Sequence, residues 1–187
     1  MTALESKDSL ETRLLLALGL VARNWTLAEQ AIEQIIWYYL KLPVGIGRSV
    51  TVHIQNASRL SVIRNLLEHF EKDEKAKNRI VGALAAFDVL RQNRNVLIHS
   101  TYAVEIDFIE LARTNRRTGQ DTIKIHVSPE TIEAVAADIE SLTNYLIRLY
   151  HSLGVRVYDS PMMQSAVGFR IEAPSPGEPP TPARIES

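Results

Sequence analysis

Residues 14–39 read LLLALGLVARNWTLAEQAIEQIIWYY. Within this stretch Leu14, Leu18, Val21, Trp25, Ala28, Ile32, Ile35 and Tyr39 follow one another by alternating steps of four and three. That rhythm puts one apolar stripe along a helix. Held from about residue 12, it predicts a helix of about 28 residues and about 42 Å, at 1.5 Å per residue. Such a helix outruns the width of a small domain, so it reads as the backbone of a helical hairpin or as a dimer seam. Pro43, Gly45 and Gly47 end it. The polar residues 1–11 before it are expected to be flexible.

The longest apolar run, Leu14 to Ala22, has nine residues, and a membrane span needs about 20. Glu5, Asp8 and Glu11 precede it, where a secretory leader carries positive charge. No membrane association and a cytoplasmic location are expected. The whole chain has 187 residues and is 45% apolar, enough for one domain with a real core and a modest tail. Its 21 Lys and Arg against 22 Asp and Glu leave a net charge of −1, which excludes a globally basic nucleic-acid coat. The absence of cysteine excludes disulfide scaffolds, thiolate zinc sites and cysteine nucleophiles.

Beyond residue 54 a second helix fits Asn56 to Phe70, with Leu60, Ile63, Leu67 and Phe70 on one face. A third runs from about Asp73 to His99 with Ile80, Leu84, Phe87 and Leu90. The period then changes to two. Val104, Ile106, Phe108 and Glu110 fall on one side of a first alternating run, and Ile123, Ile125 and Val127 alternate again. Residues 114–120 between them are polar and contain Gly119, so about 103–127 reads as a β-hairpin. Ser128, Pro129 and Glu130 make a helix start of cap, first-turn proline and favourable acid. Ile132, Val135, Ile139, Leu142, Leu146 and Leu149 carry that last helix to Gly154. Residues 155–172 read as a weakly ordered extension. The prolines of 173–187 read as a disordered tail. The fold class is mainly α: a bundle of about four helices with an inserted hairpin, over residues 12–154.

No phosphate loop, dinucleotide glycine signature, zinc-protease pair or nucleophile elbow occurs. The five histidines show no metal-ligand spacing, and no metal or cofactor is expected. One stretch breaks the amphipathic logic, Arg91-Gln92-Asn93-Arg94-Asn95-Val96-Leu97-Ile98-His99. Following Ala83, Phe87 and Leu90 by helical steps lands on Arg94 and then Leu97. An arginine in an apolar phase needs a partner or a ligand. Arg91, Asn95 and His99, four apart, line up beside it.

Arg94-Asn95-Val96-Leu97-Ile98-His99 resembles the arginine, polar residue, three others, histidine motif of HEPN domains. The long first helix and the motif on a late core helix are compatible with that resemblance. It implies a metal-independent RNA endonuclease of the kind found in toxin and defence systems. In that role His99 would serve as general base or acid and Arg94 would hold the phosphate. Asn95 would orient the imidazole or substrate, with Arg91 and Tyr102 supporting. Attack by the RNA's own 2′-OH would leave a 2′,3′-cyclic phosphate. Toxin branches place a tyrosine two residues after the histidine; here Thr101 stands there and Tyr102 follows. The resemblance also implies a homodimer with Arg94 and His99 near the two-fold groove, and a cognate antitoxin or other partner protein.

The same spacing recurs at Arg48/His53 and Arg64/His69, so position on the helix selects the third pair. Residues 48–102 hold nine Lys and Arg against five Asp and Glu, the only net-positive region. Arg113, Arg116 and Arg117 at the hairpin tip read as an RNA phosphate clamp or an ordinary solvated turn. Structural readings of the motif stand beside the catalytic one. Arg94 can pair with Asp88, Glu29 or Glu33, and His99 can cap the helix end. The rival function is a non-catalytic helical interaction or antitoxin-type module. Trp25, Trp37, Tyr38 and Tyr39 read as core or interface packing.

Overall fold

A computed structural model of the chain describes residues 3–105, 108–114, 122–153 and 177–185; the side chains of residues 3–8, 113, 114, 122, 123 and 151 fall outside that description. The described residues form five helices and one three-stranded sheet. In order they are α1 (Ala3–Tyr39), α2 (Val44–Thr51), α3 (Asn56–Phe70), α4 (Glu74–His99), β1 (Thr101–Val104), β2 (Ile109–Thr114), β3 (Thr122–Val127) and α5 (Pro129–Ser152). The fold is mainly α, as the periodicity predicts. No helix among the described residues is long and apolar enough to cross a membrane.

The chain divides into two compact units. The first comprises Met1–Trp25, Val89–Glu140 and Pro182–Ser187, and the second Thr26–Asp88 and Ser141–Thr181. In the first, α1 buries Leu14, Ala17, Val21 and Trp25. The Asn24 side chain there donates to the Ala136 carbonyl of α5 at 3.0 Å, and Arg13 reaches Glu130 and Glu133 at 2.9 Å each. The helix starts at Ala3, ahead of the apolar stripe that predicts it.

The sheet of this unit has antiparallel order β1-β2-β3. Two strands were expected. The Glu105 amide donates to the Phe108 carbonyl at 3.0 Å, so the first alternating run turns back on itself. Val104 then pairs with Ile109 and Ile109 with Val127. The turn also resets the phase. Ile109, Leu111 and Val127 are buried, whereas Glu110 faces Lys124 at 2.9 Å and Phe108 lies against the His126 ring, centroids 4.4 Å apart. Two paired edges on β2 satisfy backbone groups that a lone hairpin would leave open. Ser128 caps α5 as expected, its Oγ accepting from the Thr131 amide at 3.3 Å.

The second unit is built on Ile32, Ile35, Ile36, Ile63, Leu67, Ile80, Leu84 and Phe87, with Tyr145, Leu146 and Tyr150 of α5, all buried. α1 ends in a left-handed residue, Lys41 at φ 53°. The Leu42 amide reaches the Trp37 carbonyl at 2.9 Å and the Lys41 amide that of Tyr38 at 3.1 Å, the double closure that ends many helices. Residues 43–54, unreadable in sequence, contain α2, which the Trp37 indole anchors by donating to Thr51 Oγ1 at 3.2 Å. Gly47 lets it approach: a Cβ there would stand 2.6 Å from the Trp37 ring. α3 has the expected bounds, but Phe70 is 58% exposed, at a final turn that has run past the core. Residues 177–185, expected to be disordered, are described and make specific contacts. Within the second unit Pro179 lies so close to Gly82 that a Cβ on that glycine would come within 2.5 Å of it.

Candidate functional site

The last two turns of α4 bring three of the expected site residues together. Arg94 Nη1 donates to Asn95 Oδ1 at 3.1 Å and lies 3.3 Å from His99 Nε2. A guanidinium can only donate, so Nε2 is the accepting atom of this contact. The five-residue step from Arg94 to His99 is bridged because arginine's long side chain reaches forward along the helix. Arg94 and Asn95 are half-buried and His99 is exposed. The Arg94 Nε is buried without a hydrogen-bond partner, an under-satisfied cation edge beside an accessible imidazole.

Two neighbouring side chains reach carbonyls of the helix end. Ser100 Oγ donates to the Val96 carbonyl at 2.6 Å and the Tyr102 hydroxyl donates to that of Leu97. Burial pushes the Tyr102 phenol up to about 12, so it stays a neutral donor. Tyr102 is thus turned onto the helix backbone. Arg91 is half-buried one turn before Asn95 on α4. Arg113 sits on β2 with its side chain outside the described residues, as are Arg116 and Arg117 entirely; the expected clamp falls there.

The two other arginine-histidine pairs have different surroundings. His69 Nδ1 lies 2.8 Å from the Asn65 carbonyl of its own helix. Arg48 borders a cavity of about 290 Å³ with Glu29, Gln30, Glu33 and Arg59. Glu33, one of the acids expected to pair with Arg94, is held by Arg59 at 2.7 Å. Arg59 also donates to the Thr51 carbonyl at 3.1 Å and to Asn56 Oδ1 at 2.8 Å. Burial raises the Glu33 carboxyl above its ordinary range, outweighing the arginine. This buried ion pair went unrecognised in sequence, although Arg59, Ile63 and Leu66 share a helical phase.

Asn93 was noted as a neighbour of the motif and has a defined task. It is 1% exposed, its Nδ2 donates to the Ala183 carbonyl at 2.8 Å, and its Oδ1 accepts from the Ile185 amide at 3.0 Å. Among the described residues no group of three His, Cys, Asp or Glu side chains could hold a metal ion. No family model matches the chain, and neither a curated protein nor a solved structure is significantly similar to it.

Proposed function

We propose that Arg94, Asn95 and His99 form the site of a metal-independent endoribonuclease acting in the cytoplasm, as the HEPN resemblance of the motif implies. The observation that supports this reading is the approach of Arg94 Nη1 to His99 Nε2. In that contact Nε2 is the acceptor, the role a general base also needs. An RNA phosphate beside Arg94 would take over the guanidinium, whose fork suits phosphate oxygens, and free Nε2 for the neighbouring 2′-OH. His99 then takes the 2′-hydroxyl proton, the 2′-oxygen bonds to phosphorus, and the 5′-oxygen leaves with a proton from water. Arg94 offsets the charge that builds on the phosphate. The products are a 2′,3′-cyclic phosphate and a 5′-OH.

One observation favours a second reading, a non-catalytic interaction or antitoxin-type module. Leu15, Leu16 and Leu20 are exposed on α1, a surface suited to a protein partner. The deciding experiment incubates the purified chain with single-stranded RNA in EDTA and maps the ends. Cyclic phosphates from the wild type and from His69→Ala, with none from folded His99→Ala, are expected. Intact RNA across a range of pH and substrates, or equal loss in His69→Ala, would favour the module.

A further inference from the structure

Residues 177–185 belong to no helix or strand, yet a helix holds them by their main chain. In the first unit, which contains Val89–Glu140 and Pro182–Ser187, the Asn93 side chain of α4 donates to the Ala183 carbonyl at 2.8 Å. It accepts from the Ile185 amide at 3.0 Å. Those two groups flank residue 184. A strand residue makes the same pair of bonds to its neighbour in a parallel ladder. The peptide groups of α4 are themselves spent on the helix, so the side-chain amide of Asn93 stands in for a strand's main chain. At 1% exposure it has no other partner to turn to.

The side chains of the tail contribute unevenly. Pro182 and Ile185 are half-buried, whereas Thr181, Ala183 and Arg184 are exposed. The seat thus reads the main chain around residue 184, together with a proline and an apolar residue three positions later. Main-chain hydrogen bonds for affinity and a few side-chain pockets for specificity are how proteins take up separate extended peptides. The composition of the tail suits that use. Pro179, Pro180 and Pro182 fix their φ angles in advance, so less freedom is lost on seating. In the second unit Pro179 meets Gly82, where a Cβ would clash with the proline ring.

We propose that α4 carries at Asn93 a binding site for an extended peptide of the form proline, two free residues, apolar residue, and that the chain's own tail is its exchangeable resident. The partner it fits is a segment of that form in another protein. Residues 153–176 lie in sequence between α5 and the tail, so the tail competes with such a segment as a tethered ligand. The site uses neither Arg94 nor His99. It stands apart from the ribonuclease reading, and its test reads peptide binding rather than cleavage.

The probe is a fluorescein-labelled synthetic peptide of residues 177–187, followed by anisotropy. Ile185→Pro in the full chain removes the amide that donates to Asn93 and frees the seat. The peptide should bind this variant saturably, and the wild type at least about tenfold more weakly because the wild-type tail competes. Adding Asn93→Ala to the Ile185→Pro chain should weaken binding by about tenfold or more. Two changes in the peptide test the reading on an unaltered seat. Methylation of the Ile185 amide nitrogen should cost about tenfold or more, whereas alanine in place of both Thr181 and Arg184 should leave the affinity unchanged. Circular dichroism checks that both protein variants keep their helicity; if either unfolds, excess peptide on the wild type makes the same comparison of parent and methylated peptide. A peptide that binds neither protein would overturn the proposal and leave the tail a fixed part of the fold. A methylated peptide that binds as well as its parent, or a loss of affinity on the alanine changes, would overturn the main-chain reading on which the proposal rests.

Discussion

The amide of Asn93 holds the C-terminal chain with both of its polar atoms, giving a hydrogen bond to the Ala183 carbonyl at 2.8 Å and taking one from the Ile185 amide at 3.0 Å. A side-chain amide used this way copies the donor and acceptor pair of a peptide group. With Asn93 1% exposed, neither atom has water as a substitute. Asn93→Ala should lower unfolding free energy by about 1–3 kcal/mol, the range for removing a buried hydrogen-bonding group. Truncation after residue 180 should cost a similar amount. Combined, the two changes should cost much less than their sum, because each removes the same contact. Urea titration of the four proteins reads this directly. Full additivity would show that Asn93 stabilises by some other route.

Arg59 and Glu33 make a second test. Arg59→Ala strands a half-buried carboxylate and frees the Thr51 carbonyl and Asn56 amide that the guanidinium now holds. A loss of about 3 kcal/mol is expected. The Glu33 carboxyl is raised above its ordinary 4.5 by burial. A raised carboxyl holds its proton more tightly folded than unfolded. Its favourable contribution is full below 4.5 and is lost as pH climbs through the folded value. Glu33→Gln cannot ionise, so its stability relative to wild type should rise from acid toward neutral pH. Thermal melts of both proteins at several pH values would show it; a flat difference would contradict the assigned burial.

The bounds of α3 and the start of α5 were legible because each rests on local signals: a helical period, and the Ser128-Pro129-Glu130 cap. What lay beyond reach depended on distant or uncovered surfaces. The turn at Glu105 and Phe108 broke an alternation that looked continuous, since nothing in a period-two pattern marks where a strand folds back. Leu18 and Leu14 follow the predicted stripe, but that stripe could not say that Leu15 and Leu16 on the opposite face would be left open. Asn93 pairs with residues some ninety positions away, a relation no local pattern encodes. Arg94, Asn95 and His99 were legible because one helix carries all three.

Lys41 closes α1 in the left-handed region at φ 53°, where a side chain's Cβ crowds its own carbonyl and glycine does not. The side chain is exposed. Lys41→Gly keeps the Leu42 and Lys41 amide closures onto Trp37 and Tyr38 and relieves that crowding. Part of the gain is offset by the greater freedom of glycine in the unfolded chain. A net stabilisation of up to about 1 kcal/mol is expected, read as a higher melting temperature. Gly47→Ala should do the reverse. Its methyl would stand 2.6 Å from the Trp37 ring, and such overpacking costs about 1–3 kcal/mol.

The ribonuclease reading makes its sharpest claim about the shape of one side chain. Arg94→Lys keeps the positive charge but loses the planar fork that suits phosphate oxygens. If charge alone mattered, the lysine variant would cleave almost as fast as wild type. If the two-pronged grip on the phosphate matters, it should lose about 100-fold, near the loss from removing one transition-state donor. His99→Ala should lose about 100- to 10,000-fold, the usual weight of a general base. In wild type the cleavage rate should fall toward acid, as a proton on Nε2 removes both the base and the acceptor of the Arg94 hydrogen bond. His99→Ala should lose that acid limb along with its rate. Single-turnover cleavage of a short single-stranded RNA in EDTA measures all of these, and a lysine variant of wild-type rate would remove the geometric argument for the site.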